Sequence, residues 1–133
     1  EKVWMGAMKD DPPLSMLTLS EKPTDAEKPA IAKWHKISAI YKTKIIAIGQ
    51  EYFPHAVGAM EEMYSTRSGL IVELHDQSIS YGEYNRRVQQ AYTKYAQQVS
   101  NIELQQSRIE QMRPPSPKTS FSCYTIGNQT HCN

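Results

Sequence analysis

Apolar residues recur at helical intervals through the middle of the chain. Trp34, Ile37, Tyr41, Ile45 and Ile48 succeed one another in steps of three and four, which places them on one stripe of a helix beginning near Pro29. Thr24 and Glu27 stand at capping-box spacing, and proline is accepted in a first turn. Gly49 and Pro54 interrupt the pattern. Pro54 removes a helical hydrogen bond and disfavours helical angles at Phe53, so one helix is expected to end near Tyr52 and another to start at Pro54.

The second segment, about 55–75, carries Val57, Met60, Tyr64, Ile71 and Leu74 on one face. Gly58 and Gly69 weaken it by about 1 kcal/mol each relative to alanine, so it must lean on tertiary contacts. Ser80 and Glu83 then form a capping box, with Ile79 and Tyr84 as a hydrophobic staple. A third helix should run from Tyr81 to about Met112, stopped by Pro114 and Pro115. Tyr84, Val88, Tyr92, Tyr95, Val99, Ile102, Ile109 and Met112 form its drifting stripe, and glutamines crowd its outer face. Such a helix is about 48 Å long and needs partners along its length. The expectation is that both earlier segments pack antiparallel against it.

The ends read differently. Residues 1–23 suggest an extended arm, since Pro12, Pro13 and Pro23 forbid a continuing helix, and residues 14–19 suit a short strand. Residues 24–113 form the helical domain, and residues 114–133 a Pro/Ser linker with a hairpin tail. If Gly127 and Asn128 make a two-residue turn, Cys123 faces Cys132 at a non-hydrogen-bonded pair, where alpha carbons lie about 4.5 Å apart. That is near the short end of disulfide geometry. A Cys123–Cys132 disulfide is therefore expected, and with it a periplasmic or extracellular home. The fold class that emerges is all-α: an antiparallel bundle of about three helices, an extended N-terminal arm and a small disulfide-closed β-hairpin.

Composition narrows the function mainly by exclusion. Charged residues make up 22% of the 133 and the formal net charge is +1, which gives no field to draw nucleic acid. Lys33, Lys36, Lys42 and Lys44 read as a solvated helix face. No apolar run approaches the roughly 18–20 residues of a membrane span. The chain opens on Glu1 without a signal peptide, as a processed or trimmed chain would, and a lipid anchor ahead of Glu1 stays open.

Tests for chemistry give little. Residues 76–84 copy the second half of a calcium loop, but Val72, Leu74 and Gln77 fall where ligands or the glycine should be. The same stretch resembles short bacterial helical-hairpin modules with a G-x-I-T-x-x-E-[FY] signature. Ile79, Ser80, Glu83 and Tyr84 carry the resemblance, while Gln77 and Ser78 replace the usual glycine. It covers roughly twenty residues and implies association rather than catalysis. The acidic pairs Asp10/Asp11 and Glu61/Glu62 lack the facing geometry of acid/base catalysis. His55, Met60 and Met63 are the candidate soft-metal ligands, a set suited to copper(I), and Met5 and Met8 repeat the methionine spacing. The alternative is methionine as core filler. Asn128 heads a glycosylation sequon.

The reading is therefore a non-enzymatic interaction, scaffold or accessory protein of a bacterial cell envelope or the secreted space, with no cofactor. Its partner is expected to be a protein, self-association included, and not nucleic acid. Tyr81, Tyr84, Tyr92 and Tyr95 form the expected partner-facing strip, with Gly127 and Asn128 at the hairpin tip. A copper-binding periplasmic protein and a secreted hydrolase inhibitor are the alternatives.

Overall fold

A proline pair starts the first element and another proline separates the next two. In the computed structural model, which describes residues 2–4, 11–113 and 123–132, α1 spans Leu14–Leu17, α2 Lys28–Tyr52, α3 Val57–His75 and α4 Tyr81–Met112. The described residues are mostly helical. Pro114 to Ser120, Met5, Met8 and Asp10 lie outside them.

The strand expected at residues 14–19 is a helical turn instead. Pro13 fixes the entry, and its carbonyl accepts from the Met16 and Leu17 amides at 2.8 and 3.3 Å. The break between α2 and α3 falls where Pro54 requires it. Phe53 leaves helical angles (φ −139°, ψ 53°), and Pro54–Ala56 forms one 3-10 turn. Gly49 lets the helices meet there, since a Cβ would lie 3.2 Å from Met60 Sδ.

Packing order departs from the expectation for the long helix. α3 lies between α2 and α4 and packs against both, whereas no backbone approach between α2 and α4 occurs among the described residues. Cross-links set α3 and α4 antiparallel: Arg87 pairs with Glu73 at 2.6 Å, while Lys94 and Gln98 reach Glu62. α2 meets α4 through one edge-on ring contact, Trp34 to Tyr84 at 5.7 Å. As the middle element, α3 is apolar on more than one side. Ile71 and Leu74 of the expected face are buried and its Val57, Met60 and Tyr64 are half-buried, while Met63 and Leu70, off that face, are buried as well.

The arm is no free extension. Trp4 is 7% exposed, inside a core of Ile31, Leu70, Ile71, Leu74, Tyr81, Tyr84 and Val88. Two residues on α4 seat it. The fully buried Asn85 accepts from the Trp4 amide through Oδ1 and donates from Nδ2 to the Lys2 and Met16 carbonyls, all at 3.0 Å. Gly82 lets the arm's backbone touch the helix, where an added Cβ would stand 2.5 Å from the Leu19 carbonyl oxygen. The arm in turn caps α4, accepting from the Tyr81 and Gly82 amides at the Glu21 and Leu19 carbonyls, each at 2.9 Å.

Ser80 is the N-cap of α4, its Oγ accepting from the Glu83 amide at 3.2 Å, while the Glu83 carboxylate turns to Arg86. Gln77, in the place where the resembling modules carry glycine, adopts φ +57°. Its side chain donates to the Pro23 carbonyl at 2.8 Å, a contact glycine could not make. Near the C-terminus Cys123–Ile126 (β1) and Gln129–Cys132 (β2) pair antiparallel, with Cys123 across from Cys132 and Gly127 at φ +62° in the turn.

Candidate functional site: an apolar groove along α2

The stripe on α2 that reads as core is mostly not core. Among the residues of α2 only Ile31 and Gly49 are buried. Ile37, Ile40, Tyr41, Ile48 and Tyr52 are 42%, 59%, 62%, 51% and 64% exposed, and they share one side of the helix. A row of this kind on a helix already packed by another face is an apolar patch rather than scattered surface residues.

Between this row and α3 lies a groove of about 460 Å³. Its wall on α2 is Trp34, Ile37, Tyr41 and Ile45, and its floor on α3 is Tyr64, Arg67 and Ile71. Lys42 joins the lining, its Nζ donating to Ser65 Oγ at 2.9 Å. No carboxylate lines it. Arg67 is half-buried: Nη1 donates to the Tyr92 hydroxyl at 3.3 Å, and the guanidinium carbon lies 5.8 Å from the Trp34 ring centre. Its Nε and the Tyr84 hydroxyl are both buried without a hydrogen bond of ordinary geometry, and the Tyr84 hydroxyl has the Arg67 guanidinium as its polar neighbour. Burial pushes the Tyr84 phenol up to about 12 and also raises Tyr64, the direction expected where water is scarce.

The expected site residues are dispersed. Tyr81 and Tyr84, read as a partner-facing strip, are 4% and 0% exposed and belong to the core, because the staple and the arm close over the start of α4. Tyr92 is half-buried edge-on against Trp4 at 5.7 Å, and Tyr95 is half-buried one turn further on. Gly127 and Asn128 are exposed in the turn of the β ribbon. His55 is exposed in the 3-10 turn, Met60 packs on Gly49, and Met63 is buried at 4% exposure. The Met60 thioether thus fills space at the α2–α3 junction, and Met63 lies on the side of α3 that faces α4. Among the described residues no cluster of three or more His, Cys, Asp or Glu could hold a metal ion.

Sequence reasoning missed Arg67. Its signal was available: a lone cation three residues after Tyr64 and four before Ile71, on a face otherwise apolar. No helix among the described residues is long and apolar enough to cross a membrane. No family model, no curated protein and no solved structure matches this chain.

Proposed function

We propose that this chain is a non-enzymatic interaction module that captures a protein partner on the exposed face of α2. The observation that carries the reading is the row Ile37, Ile40, Tyr41, Ile48 and Tyr52, left uncovered beside a groove. Helix-in-groove recognition uses such a surface, an apolar trough with anchors spaced by helical turns.

The compartment belongs to the same proposal: a bacterial envelope or secreted space, with Cys123 and Cys132 joined in a disulfide. The Cys123–Cys132 register and Gly127 in the turn support it. Natively purified chain should then take up alkylating reagent at neither cysteine until reduced.

The test of the interaction reading is a comparison of variants in envelope extract. Wild-type chain and a Leu104→Glu variant should retain the same partner, and an Ile40→Glu variant should lose it. Equal retention by all three would remove α2 as the binding face.

A further inference from the structure

The groove joins an apolar wall to two cations without carboxylates. Arg67 and Lys42 take part in none of the ion pairs among the described residues. Lys42 has water to draw on; Arg67 sits deeper, with Nε buried and outside any hydrogen bond of ordinary geometry. A desolvated cation without an opposing charge is costly, and the Tyr92 and Tyr84 hydroxyls and the Trp34 indole face, all neutral, offset only part of that cost. An incoming carboxylate would satisfy it in the bidentate geometry for which guanidinium is built.

We infer that the groove is completed by an amphipathic helix of a partner protein carrying an aspartate or glutamate within its aliphatic stripe, the carboxylate pairing with Arg67. This rests on the interaction-module reading above and adds the partner's chemistry. Length favours a helix over a small amphiphile. The exposed row from Ile37 to Tyr52 covers about 22 Å, some four helical turns, so a compact ligand leaves Ile48 and Tyr52 bare. Position favours a helix over a bilayer. Lys33, Lys36 and Lys44 lie on α2 beside the row, as on helices that rest on anionic lipid. Arg67, however, is on the floor, and a membrane lying on the rim does not enter. Charge disfavours pairing through the α2 face of a second copy. α2 carries five lysines and one glutamate, so two such faces repel.

A displayed library of amphipathic peptides of about twenty residues, randomised along the apolar stripe, should be selected on the full chain. Enriched sequences are expected to repeat aliphatic anchors at helical spacing with one acidic residue among them. Replacing that residue by its amide should weaken binding to the wild-type chain about tenfold, or about 1.4 kcal/mol, and leave binding to R67M unchanged. The amide swap touches only the peptide, so the result survives even if R67M folds poorly. I48E, at the exposed rim, should abolish peptide binding with its thermal midpoint unmoved. Equal binding of acidic and amide peptides would overturn the Arg67 pairing while leaving the interaction module standing. Binding to phosphatidylserine vesicles with no peptide selected would overturn both. A dimer that I48E dissolves would make a second copy the occupant and overturn the inference, as would the absence of any selection.

Discussion

The two ends of the helical layer are built on different terms. Where the arm meets α4, Trp4, Leu70, Leu74, Tyr84, Asn85 and Val88 are nearly or wholly out of water, and backbone polar groups are paired across elements. At the far end Ile48, Tyr52, Leu104, Ile109 and Met112 remain half or more exposed. The difference teaches where stability resides. Interlocking at one end lets the other leave apolar surface uncovered without the fold depending on it. The contrast breaks if substitutions at the closed end prove cheap.

Asn85→Ala should be the most damaging. It strips three partners at once, leaving the Trp4 amide and the Lys2 and Met16 carbonyls unpaired beneath the arm. Each buried orphan costs about 1–3 kcal/mol, and partial release of the arm lets water reclaim some of it. A net loss of about 3 kcal/mol in urea unfolding is expected. A loss under about 1 kcal/mol would mean the arm is held by something else.

Gly82→Ala comes next. The new methyl would stand 2.5 Å from the Leu19 carbonyl oxygen and 2.7 Å from that of Leu17, both backbone atoms that cannot swing aside. Alanine gains about 1 kcal/mol of helix propensity over glycine, while forcing a well-packed contact apart costs about 1–3 kcal/mol. A net loss of about 1–2 kcal/mol in urea unfolding is expected. An unchanged or raised midpoint would show that the arm does not bear on α4 there.

How much of this was legible in the sequence depends on the range of each signal. Helix positions rested on local chemistry: Pro54 ended one helix, Ser80 began another, and both acted as their backbone constraints dictate. The arm was misread because its order comes from Asn85 and Gly82, more than sixty residues away, and neither looks unusual within a helix. The tyrosines went wrong for a related reason. Periodicity marks the apolar side of a helix but not what covers it, so Tyr84 and Tyr41 looked alike, yet one is sealed and the other is 62% exposed. The groove was invisible because a stripe that faces a neighbour and one that awaits it have the same spacing.

The finest distinction within the closed end concerns a single oxygen. The Tyr84 hydroxyl is buried with only the Arg67 guanidinium beside it and no hydrogen bond of ordinary geometry, so its ring contributes packing while its oxygen carries a desolvation cost that Arg67 offsets in part. Tyr84→Phe keeps the ring contact with Trp34 and removes the oxygen. At neutral pH unfolding should be unchanged or slightly harder, by less than about 1 kcal/mol. The two proteins should part only in alkali. The unfolded tyrosine loses its proton near 10, and the folded one holds it to about 12. The contribution of the neutral phenol is therefore complete below pH 10 and is lost as pH rises through 12, by about 3 kcal/mol in the wild type. Phenylalanine has no proton to lose, so the variant should outlast the wild type across that window in pH-dependent urea unfolding. Coincident alkaline limbs would place the Tyr84 hydroxyl in contact with water or a partner group, and the closed end would not be sealed at its centre.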